Sequence, residues 1–260
     1  MRTVRSCAAL CAALTTLALA AGCAADRSSS TEQQATTVVA PPVIETTSRP
    51  ATVDPALAGQ LASAAANNDA ARVRELIAQG ADLEARDESG RTPLVTATKN
   101  RATAAAAALI DAGADVDAKD DLEDSAYLYA GAEGLDDILE LTLTHGADLR
   151  SLNRYGGTAL IPAAEHGHVG TVRRLIDAGV DVDHVNESGW TALHEAIVYG
   201  DGSTRYQQVV TALLGAGADP SIQDSSGRTA SDNAQRRGQS AVAAILRDHR
   251  TDPTTDQPER

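Results

Sequence analysis

The residues best placed to do chemistry are His194 and Glu195, in the stretch NESGWTALHEAIVYGDG that also holds the only tryptophan, Trp190. A His-Glu pair can open a zinc-protease helix. There a second histidine one turn on completes the metal pair, and the glutamate acts as general base. Val198 stands where that second histidine belongs, so the motif lacks a ligand and, with it, a mechanism. His145, His166, His168, His184 and His249 cluster only as His166-x-His168, which is no ligand set. Neither a Gly-x-Ser-x-Gly elbow, a phosphate loop nor a dinucleotide fingerprint occurs in a suitable context. No catalytic residue, metal site or cofactor is expected. The rival reading, a metal-dependent hydrolase built on acidic residues and His194, would require a tightly bound ion.

Acidic residues gather in DAGADVDAKDDLEDS at 111–125, where seven carboxylates surround one lysine, and Glu133, Asp136, Asp137 and Glu140 follow. The glycine and closing glutamate of an EF-hand loop are missing, so a solvated acidic finger is expected rather than a calcium site. Its use would be to attract a basic partner. The formal charge of -14 argues against nucleic acid, whose phosphates need a basic stripe. Hydrophobic residues make up 43% of the chain, yet Phe is absent and only five Tyr and one Trp occur. Such a core must consist of closely packed small-residue helices.

The N-terminus, MRTVRSCAALCAALTTLALAAGCAAD, has two arginines, an apolar run from about Cys7 to Ala21, and small residues leading to Cys23. That pattern is a secretory signal, too short for a permanent span. The residues before Cys23 resemble the bacterial lipoprotein signal, which implies cleavage after residue 22 and a lipid on Cys23. Ala20 holds the place where that signal usually has leucine. Cleavage after Ala18-Leu19-Ala20 would instead release a soluble secreted form with Cys23 as an orphan thiol. Residues 23–55, rich in Ser, Thr, Ala, Pro and Gln, are expected to form a disordered tether, and 251–260 a disordered tail. About 30 flexible residues would reach on the order of 30 Å. The expected location is the outer face of the cell membrane, with the lipid as the only membrane contact.

The elements that must position His194 emerge when the remaining residues, 56–250, are slid against themselves. Gly80-Ala81-Asp82, Gly113-Ala114-Asp115, Gly146-Ala147-Asp148, Gly179-Val180-Asp181 and Gly217-Ala218-Asp219 recur at spacings of 33, 33, 33 and 38. Thr92, Ser125, Thr158, Thr191 and Thr229 keep the same register, as do Ala64, Ala97, Ala130, Ala163, Ala196 and Ala234. Six copies result, counting incomplete ones at the ends. Thr92 can cap a helix, and Pro93 in the next place forfeits no bond. Gly134, Gly167, Gly200 or Gly238 then separates a short helix from a second one, which ends at the glycine of the triplet. The internal alanine lets the two helices approach. One unit cannot bury its own apolar face, so the units must stack into a solenoid.

This period, with GRTPL at 90–94, GWTALHEA at 189–196, EHGHVGTVRRLIDAG at 165–179 and the repeated GAD, resembles the ankyrin repeat family over about Leu57 to His249. The resemblance implies an all-α solenoid of helix-turn-helix units with β-hairpin-like fingers, about five repeats plus a capping repeat. It places His194 in a structural hydrogen-bonding role between repeats. The departures are Arg101 at a turn glycine, Tyr127 for a leucine, and five extra residues near Gly202–Tyr206. Ser231 and Asp232 make the last copy polar, as suits a cap.

Ankyrin proteins generally bind other proteins through finger tips and the exposed side of the first helices. The resemblance therefore implies a surface of Arg86, Lys99, Lys119, Asp121, Leu122, Asp124, Arg154, Tyr155, His166, Val185, Glu187, Trp190, Val198 and Tyr199, among others. Tyr155, Trp190 and Tyr199 fall there with Arg154 and His166, and rings and arginines most often dominate interfaces. The expected function is a monomeric, non-catalytic scaffold that binds an envelope protein, with a basic partner favoured by the acidic finger. An inhibitor or immunity-type protein acting on a toxin or hydrolase is the alternative within the binding class.

Overall fold

The computed structural model describes residues 54–251. The leader, Cys23, nearly all of the tether and the tail from 252 lie outside the described residues. Among the described residues twelve helices follow one another in six pairs: α1 (Pro55–Ala66) and α2 (Ala70–Ala78), α3 (Pro93–Lys99) and α4 (Thr103–Asp111), α5 (Ala126–Glu133) and α6 (Asp136–Thr144). They continue as α7 (Leu160–Glu165) and α8 (Val169–Ala178), α9 (Ala192–Val198) and α10 (Thr204–Gly215), α11 (Ala230–Arg236) and α12 (Ser240–Thr251). The odd-numbered helices pack on one another as one layer and the even-numbered helices as a second. No strand occurs among the described residues. The expected hairpin-like fingers are loops, each closed by one backbone bond across five residues: Asp87–Arg91, Asp120–Asp124, Asn153–Gly157, Asn186–Trp190 and Asp224–Arg228.

One register series, unused in the sequence reading, builds those tips. The Oδ1 of Asp87, Asp120, Asn153, Asn186 and Asp224 accepts the backbone N–H groups two and four residues on, at 2.8–3.0 Å. Short Asx side chains favour such local bonds, which hold the turn without a sheet partner. Neighbouring fingers are stapled together. The Asp121 N–H donates to the Ser89 carbonyl and that of Glu187 to the Tyr155 carbonyl. Arg86 donates to the carbonyls of Gly90 and Lys119, and Lys119 to that of Leu152. Below them, Glu84, Asp117 and Asp183 accept the N–H groups of Asp115, Asp148 and Asp219. Much of the acidic run thus serves as framework.

Helix starts follow the cap expectation at Thr92, Ser125, Thr191 and Thr229, each accepting the N–H three residues on. Thr158 departs from it, and its buried hydroxyl has no partner. The cause is Pro162, which has no N–H to bond the Thr158 carbonyl, so Ile161 N–H takes that carbonyl at 3.2 Å. The inter-helix turn survives without glycine: Asn68 and Arg101 adopt φ of 56° and 57°, close to the 65° of Gly134. Gly200 corrects the expectation in the opposite sense. The five-residue insertion moves the left-handed turn to Gly202, at φ 71°, and a longer second helix starts at Thr204. Gly200 is needed for space, since a Cβ there would sit 2.7 Å from the Tyr206 ring.

The core is one continuous apolar cluster shared by all six pairs. Leu94, Tyr127, Leu160 and Leu193 occupy one register position and are fully buried, whereas Ser231 at the same place in the last pair is only partly covered. Ala97, Ala130, Ala163, Ala196 and Ala234 are sealed where the layers meet, as small side chains allow. Tyr127 fills its leucine site at the cost of a buried hydroxyl with no bond, and burial pushes that phenol up. No helix among the described residues is long and apolar enough to cross a membrane.

Candidate functional site

A groove of about 500 Å³ runs along the exposed side of α5, α7 and α9 beneath the fingers. Register explains its lining. Tyr129, Pro162 and Glu195 share one position on successive first helices, and Ala132 and Glu165 share another. Glu133, His166 and Tyr199 share the next. The finger bases contribute Asp124, Asn153, Arg154, Tyr155, Asn186 and Ser188.

Asp124, Arg154, Tyr155, His166 and Tyr199, expected on the binding surface, therefore meet in one groove. Tyr155 and Tyr199 stand at its rim, 59% and 57% exposed. Trp190 and Val198 sit elsewhere, in a smaller adjoining groove of about 270 Å³ with Arg228, Asn233, Arg236 and Arg237. The Trp190 ring, edge-on to Tyr199 at 5.6 Å, stands between the two. Asp121 and Glu187 are exposed finger residues that line neither groove, and their backbones are spent on the finger staples. Arg86, Lys99 and Lys119, expected on the variable surface, are tied into the framework.

Two cation sites on this face are filled by the chain itself. The Lys99 ammonium bonds Asp120 and Asp124 at 2.5 and 2.9 Å and lies 5.2 Å over the Tyr129 ring. Burial opposes that charge, but the two carboxylates hold the ammonium above its ordinary pKa. The Arg154 guanidinium stacks 5.0 Å over Tyr155 and bonds the Leu122 carbonyl, with Asp124 at 3.5 Å.

His194 is framework. Its Nδ1 accepts the Thr191 N–H at 3.3 Å and meets the Thr191 hydroxyl at 3.0 Å, closing a capping box. The ring proton then resides on Nε2, which is buried and faces the Arg228 and Ile222 backbone of the next pair, short of hydrogen-bond geometry. Burial holds this imidazole below its ordinary pKa. No group of three or more His, Cys, Asp or Glu side chains among the described residues could hold a metal ion.

Glu195 is the unexpected member. It is 5% exposed, its Oε1 accepts the Asn186 amide at 3.0 Å, and its Oε2 is buried with no partner. Burial first, and then the like charge of Glu165, push the carboxyl up to about 7 against the pull of that amide bond. In the next pair the roles are exchanged, with Asp224 in the finger accepting from Asn233 on the helix at 3.0 Å. Because the folded pKa of Glu195 exceeds the unfolded value near 4.3, its stabilising share is full below that value and is lost as pH rises through 7. Glu195→Gln is thus expected to leave Tm nearly unchanged at pH 4 and to raise it by about 7–14 °C at pH 8.5. A pH-independent difference in thermal melts would refute the assignment.

Paired helices at a 33-residue period, Asx-closed fingers and a grooved first-helix face define an ankyrin-type solenoid. The chain belongs to the ankyrin repeat family, whose model, ankyrin repeats (3 copies), matches residues 59–120 and 127–224. It is similar to an ankyrin repeat domain of Acinetobacter baumannii AYE, with 54% identity, 73% of this chain and 96% of that one covered, and a TM-score of 0.71. It is also similar to the ankyrin repeat protein EF0377, at 44% identity over 73% of this chain and 97% of that one, TM-score 0.71. The ankyrin repeat domain of Bcl-3, a member of the IkappaB protein family, aligns at 29% identity over 72% and 81%, TM-score 0.64. No curated protein sequence matches the chain.

Proposed function

We propose that this protein is a non-catalytic scaffold held on the outer face of a bacterial membrane by a lipid on Cys23, where its fingers and concave face bind an envelope protein. Ankyrin repeats generally mediate protein–protein interaction. The observation that carries the reading is the groove along α5, α7 and α9, rimmed by Tyr155 and Tyr199, with exposed Leu122 and Val185 on the fingers beside it. Large half-polar rings above a rigid floor suit recognition without ordering cost. A tether confines the domain near the membrane and raises its local concentration there.

Crosslinking in intact cells, followed by identification of what attaches, is the test. Joint Tyr155→Ala and Trp190→Ala replacement is expected to cut capture of the crosslinked partner at least about tenfold, on hot-spot magnitudes. Capture that is unchanged would sink the concave-face reading. In the same cells Cys23→Ala is expected to move the protein from membrane to medium. Retention at the membrane would remove the lipid from the proposal.

A further inference from the structure

We propose that the groove along α5, α7 and α9 receives one long basic side chain of the partner, a lysine or an arginine, seated between the carboxylates of Glu165 and Glu195. This rests on the scaffold reading above and names the chemistry of its partner. Glu195 is among the residues that line the groove, and its Oε2 is buried with no partner in the protein, although buried polar atoms are ordinarily paired. Glu165 lines it too, one register position further along the face, and its side chain has no ion pair or hydrogen bond among the described residues.

The cations nearby are already committed. Lys99 is held by Asp120 and Asp124, Arg154 by Leu122 and Asp124, and Arg101 by Glu133 at 3.0 Å. Arg205 lies 4.8 Å over the Tyr206 ring. Two neighbouring carboxylates are thus left without a counter-charge in a groove whose other carboxylates, Asp124 and Glu133, are ion-paired. Lys99 and Arg154 show what completes such a site here, a cation bonded to a carboxylate and laid over a tyrosine ring. Tyr129 and Tyr155 already carry Lys99 and Arg154, and Tyr199 supplies a free ring beside the vacant pair. Depth selects the occupant: Glu195 is 5% exposed while the rim tyrosines exceed half, so the ligand needs an apolar stem to pass the rings and a charged head at its end.

Ionisation of Glu195 accompanies entry of the cation, so affinity follows pH. The groups facing it are Tyr129 and Glu133 of α5, Glu165 of α7 and His166 beyond it, Tyr199 beyond α9, and Asp124, Arg154, Tyr155 and Asn186 of the fingers.

The test is selection of binders to the full-length protein from a randomised peptide display library. The expected result is lysine or arginine enriched at one position. The best such peptide should weaken at least about tenfold with Glu195→Gln, with Glu165→Gln, and with its own basic residue changed to norleucine. With a carboxyl at about 7, its affinity should also fall about tenfold between pH 8 and pH 6. That fall should vanish in Glu195→Gln. Thermal melts of both variants confirm that they fold. Groove binders without a basic position, or binders indifferent to both glutamine variants, overturn the cation site and leave the scaffold reading standing. A library that yields no binder counts against both.

Discussion

Tyr206→Ala is expected to cost about 3–5 kcal/mol and to break the cooperativity of unfolding. Tyr206 comes from the five-residue insertion and is 5% exposed. The outer end of its ring packs against Gly167 and the inner end against Gly200, and its hydroxyl donates to the Glu165 carbonyl at 2.9 Å. It therefore bridges the fourth and fifth helix pairs with apolar area and a hydrogen bond together. Each pair is stabilised by its neighbours alone, so a cavity at this interface uncouples the pairs on either side. Trp190 lies in the finger beyond that interface and reports on the fifth pair. Urea unfolding followed by its fluorescence should precede the helical circular dichroism signal in Tyr206→Ala and coincide with it in the wild type. Tyr206→Phe, which loses only the hydrogen bond, should cost about 1 kcal/mol. Coincident transitions with a loss under about 1 kcal/mol would show that the ring is no wedge.

Asp224→Ala is expected to be nearly as damaging, at about 3 kcal/mol. The carboxylate is 4% exposed and accepts from the N–H groups of Ser226 and Arg228, from the Arg228 side chain, and from the Asn233 amide. Burial alone would raise its pKa, but those bonds, led by Asn233 and the Arg228 backbone, hold it far below the usual carboxylate range. A depressed folded pKa stabilises above the unfolded value near 3.9, and that share is lost as pH falls towards the folded one. The penalty measured by urea titration at pH 7 should accordingly shrink as the pH is taken down through 3. Asp224→Asn keeps one acceptor oxygen and should recover about half of the loss. An alanine variant as stable as wild type at pH 7 would remove this finger from the framework.

The sequence exposed the architecture because a repeat states each structural demand several times. The five glycines of the Gly-Ala-Asp series stand at φ between 82° and 93°, where a left-handed cap was expected. The alanine series lies buried between layers as expected. The Asx series at 87, 120, 153, 186 and 224 obeys the same spacings and was equally available to register comparison. Its pairing with the helix behind it was not, since Asn186 meets Glu195 only through the fold of the finger. For the same reason Glu195, which reads as half of a failed zinc motif, gave no sign of an unsatisfied oxygen. Trp190 and Tyr199 share a surface but face different grooves, a distinction set by side-chain direction rather than spacing. The lost cap at Thr158 was legible in principle from Pro162 four residues on.

The stapling of each finger to the next sets an order for the chain's assembly. Among the described hydrogen bonds none joins residues further apart than the 42 positions separating Gln239 from Ile197. Within residues 54–251 no segment has to search for a distant partner. Loop closure stays short at every step, and contact order stays low however many copies are stacked. Each pair can set as soon as its successor has been made, and the polar last pair closes a structure already complete behind it.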